Sequence, residues 1–129
     1  VRLTLIDEDK CEVKVRFKWI NQNPYRSMFW AVQGMAAELT TGMLLTKCIQ
    51  DSNANISMLL VSNKSSFRKK AVGKITFTCS EGKVAKQLIN STIQNITSKA
   101  WLKARGYDEV GDLVSEFEFE WSCKKRNNG

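Results

Sequence analysis

Between Arg26 and Lys47 runs SMFWAVQGMAAELTTGMLLT, twenty residues with a single charged side chain, Glu38, near the middle. Ala, Met and Leu dominate, there is no Pro, and the pattern predicts a helix over about 27–49 that is buried on most sides. An ionised carboxylate is rarely buried without a partner or a purpose, so Glu38 is the first candidate for chemistry. Ala31, Gly34, Glu38 and Gly42 recur at helical spacing and make a stripe of small residues around the acid, where a backbone or ligand could approach closely. A structural Glu, paired with Lys or Arg or exposed at a helix edge, is the main competing reading. A membrane span is disfavoured, because Gln33, Thr40 and Thr41 share the stretch and an acid at mid-span costs about 2.5–3.5 kcal/mol.

The segments around this helix read as strands. Residues 11–19 alternate, with Cys11, Val13, Val15, Phe17 and Trp19 on one face and Glu12, Lys14, Arg16 and Lys18 on the other. The preceding VRLTLI and the acidic DEDK turn make this the second arm of a hairpin. Pro24, in NQNPY, ends the strand, and Ser27 is placed to cap the helix. ISMLLVS reads as a strand, NKSSFRKK as a basic connection, and AVGKITFTC as a strand with Ile75, Phe77 and Cys79 inward. Ser80 is placed to cap a second helix that carries Val84, Leu88 and Ile89 to about Asn95. A turn at Glu109–Asp112 sets Ala104 opposite Phe117, Leu102 opposite Phe119 and Ala100 opposite Trp121 on the core face. The same register pairs Arg105 with Glu116 and Lys103 with Glu118 on the wet face. Trp19, Phe117, Phe119 and Trp121 read as core aromatics. An antiparallel sheet wrapped around one long central helix is the simplest α+β packing of these parts, and 129 residues fit one domain spanning 1–129.

Composition removes whole classes of mechanism. The chain has no His, which excludes imidazole bases, Ser-His and Cys-His nucleophiles and His-ligated zinc, and leaves acid–base work to carboxylates. Cys11, Cys48, Cys79 and Cys123 form no C-x-x-C, so they read as reduced, buried thiols of a cytoplasmic protein, with no metal site expected. The N-x-S/T triplets at Asn55, Asn63, Asn90 and Asn95 read as chance in a chain without a signal peptide. Twenty Lys and Arg against thirteen Asp and Glu give +7 and favour an anionic partner. Basicity alone does not choose among nucleic acid, a membrane surface and a phosphorylated small molecule, but for want of a recognition helix or an aromatic RNA-binding motif no nucleic-acid partner is expected.

FKWINQN, NPYRSMFWAVQGMAAELTTG, FRKKAVGKITFTC and ARGYDEVGDLVSEFEFEW together resemble the thioesterase-like hotdog proteins, in particular the subgroup called domain of unknown function 4442, from about Arg2 to Lys125. The resemblance implies hydrolysis of an acyl thioester, with acyl-CoA or an acyl carrier protein as substrate and no cofactor, at a site built between two protomers of a homodimer that could pair into a tetramer. Relatives place an Asn before the helix, a His-Gly-Gly in its first turn and an acid near its middle. Counting back from Glu38 puts Asn23 at the Asn position and Phe29-Trp30-Ala31 at the triplet. Glu38 would attack the carbonyl or activate water, the Trp30 backbone N–H would hold the oxyanion, and Asn23 would position water or acid. The Trp30 indole could occupy substrate space. Arg26, Lys64, Arg68, Lys69 and Lys70 are candidates for the coenzyme phosphates or a carrier protein's acidic surface. A non-catalytic acyl or acyl-CoA binding protein on the same fold is the alternative.

Overall fold

The computed structural model describes residues 1–16 and 30–127. Among these residues six strands form one antiparallel sheet, and two helices accompany it, an α+β arrangement. In chain order these are β1 (Arg2–Ile6), β2 (Cys11–Arg16), α1 (Trp30–Ser52), β3 (Ile56–Phe67), β4 (Lys74–Cys79), α2 (Gly82–Asn95), β5 (Thr97–Tyr107) and β6 (Leu113–Lys125). The sheet order is β1-β2-β4-β5-β6-β3. Phe17, Trp19, the break at Pro24 and the Ser27 cap lie outside the described residues.

β1 and β2 form the expected hairpin. Asp7 shapes its turn, since one carboxylate oxygen accepts the N–H groups of Asp9 and Lys10 at 2.8 and 2.9 Å. Cys11, Val13 and Val15 are buried, and in β4 so are Ile75, Phe77 and Cys79, as the alternation predicts. β5 and β6 pair in the expected register, Ala104 with Phe117, Leu102 with Phe119, Ala100 with Trp121, Arg105 with Glu116 and Lys103 with Glu118.

Three expectations are corrected. β3 does not stop at Ser62. It runs on to Phe67 through half of the supposed basic connection, because polar residues there find polar partners across the ladder: Lys64 lies opposite Glu118, and Ser62 donates to Glu120 at 2.8 Å. Ser80 does not cap α2. Glu81 occupies that position without a side-chain cap bond and instead accepts the Lys103 N–H at 3.0 Å, joining the helix start to β5. α1 ends at Ser52 rather than 49, closed by Asn53 in the left-handed region at φ 58.

α1 packs across the sheet against β2, β4, β5 and β6 and also touches α2. It buries Gln33, Ala36, Ala37, Thr40, Thr41, Leu44, Leu45 and Cys48 on one face. The opposite face is apolar but open: Met35 is 52% exposed, and Leu39 and Met43 are partly buried. The reading of a helix buried on most sides therefore holds for one side. At the core's centre, Phe117 meets Trp30, Phe67, Phe77 and Phe119 at ring-centroid distances of 5.7 to 6.2 Å.

The link from α2 to β5 is a single residue, Ile96, at φ 75 and ψ −46. A β-branched side chain resists that conformation. Ile96 is 59% exposed, so little packing offsets the strain. Ile96→Gly is expected to stabilise the fold by about 1 kcal/mol. Urea unfolding would read this as a higher midpoint at unchanged slope, and a lower midpoint would mean the side chain contributes more than the strain costs.

Candidate functional site

Glu38 sits where α1 turns from its buried face to its open one and is half-buried. Among the described residues its carboxylate has no ion-pair or hydrogen-bond partner. It borders a groove of about 370 Å³ that runs beside α1 and is walled by Met35, Leu39, Met43, Met58 and Trp121, with Gly42 and Thr46 between them. The wall is almost wholly apolar. Of the two competing structural readings of Glu38, the ion pair with Lys or Arg is absent among the described residues, while its half-buried place at the border of the open face fits the other, an acid at a helix edge.

Two glycines of the small-residue stripe face aromatic rings at ordinary contact. A Cβ on Gly34 would stand 3.5 Å from the Trp30 ring and 3.7 Å from Phe117, and one on Gly42 would stand 3.4 Å from Trp121. Trp121 is held from a second side, because its indole N–H donates to the Thr41 hydroxyl at 2.9 Å. Thr41 donates in turn to the Glu38 carbonyl at 2.9 Å. This chain of bonds ties β6 to the helical turn that carries the acid. Trp121 is thus a core residue, as its strand position implies, and also a groove residue, which strand position does not reveal. The available sequence signal was Gly42, one turn beyond Glu38 on the same stripe.

The other candidates are placed as follows. The Trp30 indole lies back over Gly34, its N–H donates to the Ser65 hydroxyl at 3.3 Å, and it is absent from the Glu38 groove wall. Trp30 and Glu38 are eight residues apart on α1, a rise of about 12 Å. They do not meet within one chain. Asn23 and Arg26 lie outside the described residues.

The basic residues are largely engaged elsewhere. The Lys64 ammonium lies 4.7 Å from the centre of the Trp101 ring, on the wet face where Lys103 and Glu118 pair, away from Glu38. Arg68 pairs with Glu116 at 3.7 Å. Lys69 bridges Asp108 at 2.6 Å and Asp112 at 2.8 Å, clasping the β3–β4 connection onto the β5–β6 turn. Those hydrogen bonds raise the Lys69 pKa, and the bond from Lys69 is the first cause that lowers that of Asp108. The Asp108 contribution to stability is therefore present above the ordinary carboxyl value and lost as pH falls through its lower folded value. Lys70 follows in the same connection and is exposed.

All four thiols are free and buried. Burial pushes Cys79 up to about 12 and Cys11 and Cys123 up to about 11, which leaves no thiolate nucleophile among them at neutral pH. No group of residues among those described could hold a metal ion, and no described helix is long and apolar enough to cross a membrane.

The model of a family described as "Domain of unknown function (DUF4442)" matches residues 1–123. Among curated proteins no sequence matches significantly. Among solved structures, a protein of unknown function from Pseudomonas aeruginosa, described as a "Probable Thioesterase", shares 18% identity over 97% of this chain and 83% of its own, with a TM-score of 0.85. A protein of unknown function from Chlorobaculum tepidum shares 15% identity over 96% of this chain and 82% of its own, at TM-score 0.80. A variant of a thioesterase enzyme from Staphylococcus aureus shares 10% identity over 95% of this chain and 91% of its own, at TM-score 0.73. Identities this low carry the fold and leave the chemistry to the residues.

Proposed function

The chain belongs to the DUF4442 family, with the fold of thioesterase-like hotdog proteins, and from that premise we propose that it hydrolyses an acyl thioester of coenzyme A or of an acyl carrier protein. One observation supports this above the others: Glu38 stands half-buried beside an apolar groove with no cationic partner among the described residues. An apolar groove suits an acyl chain, and a carboxylate at its side suits attack on the carbonyl at the chain's end.

In the proposed reaction Glu38 acts as a general base on water, which adds to the thioester carbonyl. The carbon–sulfur bond then breaks, and the products are a carboxylic acid and a thiol. Direct attack by Glu38 gives the same products through an anhydride that water opens. The Trp30 N–H, at the first described residue of α1, is the proposed oxyanion donor, favoured there by the helix dipole, and Asn23 is the proposed positioning group for water. Because Trp30 and Glu38 are about 12 Å apart along one helix, the donor and the acid that share a carbonyl come from different copies of the chain. A homodimer is thus part of the proposal, with a tetramer as further assembly, and the cytoplasm is its proposed location. Of the proposed phosphate contacts Arg26, Lys64, Arg68, Lys69 and Lys70, Lys69 is the least available, being already held by two carboxylates.

A second reading keeps the groove and drops the chemistry. Phe29-Trp30-Ala31 stands where hydrolytic relatives carry His-Gly-Gly, which favours a non-catalytic acyl-CoA binding protein. Thiol release from acyl-CoA separates the two. Hydrolysis is the expected result, retention of intact acyl-CoA without thiol release would select the binding protein, and neither would remove both. Light scattering tests the shared site, which a monomeric mass at micromolar concentration would sink.

A further inference from the structure

Among the described residues Trp121 is the only aromatic one lining the Glu38 groove, and it is held from two directions. Its N–H is bonded to buried Thr41, and its ring edge stands against Gly42, 3.4 Å from where a Cβ would lie. Around it the wall is made of Met35, Met43 and Met58, unbranched side chains that adapt their shape to what lies against them. The groove therefore combines soft sides with one rigid surface, and that surface lies between it and Thr41, which is fully buried.

We propose that Trp121 is the specificity-determining residue of the site described above: its ring floors the groove and confines the acyl group to a medium-length straight chain lying along α1 between Met35 and Thr46. The inference rests on the acyl-thioester reading and adds the chain class to it. A groove of about 370 Å³ takes a chain of that class, and extra room inward, at Gly42, is denied by the indole that stands against it. Trp121→Leu opens that room. The variant leaves no buried hydroxyl proton orphaned, since Thr41 keeps its own bond to the Glu38 carbonyl and loses only an accepted one. Gly42→Ala acts in the opposite sense, placing a methyl in the groove wall at ordinary contact, 3.4 Å from the ring, so the fold accepts it while the groove narrows.

The test measures retention of butanoyl-, octanoyl- and hexadecanoyl-CoA by native mass spectrometry, with thiol release recorded alongside. Wild type is expected to prefer octanoyl over hexadecanoyl. Trp121→Leu should move that ratio toward hexadecanoyl by roughly tenfold or more, as expected when a pocket gains room for several methylenes. Gly42→Ala should move preference toward butanoyl. If wild type retains acyl-CoA and both variants keep its chain preference, the role of Trp121 is overturned while the acyl-thioester reading stands. If no protein retains or cleaves any of the three, both fall. Should Trp121→Leu fail to fold, Gly42→Ala decides alone, and an unchanged preference in it overturns the proposal.

Discussion

Glu38→Gln is expected to lower thioester hydrolysis by roughly 10²–10⁴-fold or more while leaving the melting temperature nearly unchanged. The amide keeps the shape of the side chain and loses the base. Stability should hold within about 0.5 kcal/mol, because among the described residues the carboxylate takes part in no ion pair or hydrogen bond that the substitution would break. Turnover measured with saturating acyl-CoA, beside thermal unfolding of both proteins, checks the two halves together. Turnover at the wild-type level would remove Glu38 from the chemistry. A large loss of stability would mean that the carboxylate serves the fold.

Phe117→Ala is expected to cost about 3–5 kcal/mol, the range for emptying a buried aromatic position. A domain of this size has about 5–15 kcal/mol in total, so the variant should stand close to unfolding. Phe117 is fully buried and is the one ring that touches the other four of its cluster. Two of those rings, Trp30 and Phe67, are about half exposed, so contact with Phe117 is a large share of their packing. Denaturant unfolding gives the stability, and the emission of the tryptophans should shift to the red as Trp30 loses its support. A cost below 1 kcal/mol would show that the neighbours collapse into the space.

The most legible part of the fold was the last hairpin, where two long runs alternate and charge complements charge on the wet face, so only one register satisfied both faces. Cys11, Val13 and Val15 were legible for the same reason. The second half of β3 was not, because Asn63, Lys64, Ser65 and Ser66 carry no alternation of hydrophobicity. What makes them a strand is the ladder to β6, which lies far away in sequence. The start of α2 misled in another way: Ser80 has the right chemistry for a cap, yet Glu81 takes the position while its side chain is recruited by β5. Of the candidate site, the isolation of Glu38 in an apolar helix was visible at once. The part Trp121 plays was hidden, since a ring on the inward face of a strand looks the same whether its outer edge meets core or groove. The basic residues illustrate the converse. Their charges were plain, but the partners that engage Lys64, Arg68 and Lys69 come from β5, β6 and the turn between them.

The sheet order bears on how the chain is made. Among the described residues β3 has one neighbour, β6, and Ile56 pairs with Lys125, so during synthesis β3 leaves the ribosome without that partner until β6 has followed. At 5–20 residues per second that interval lasts roughly several seconds. Through it, the exposed Leu59 and Val61 lie on a strand whose backbone groups are unpaired, the condition under which strands join the wrong chain. The run Ser62-Asn63-Lys64-Ser65-Ser66 is poor at such pairing, being polar on both faces. The polar composition that hides this half of the strand from a reader of the sequence also hides it from stray partners until its own arrives.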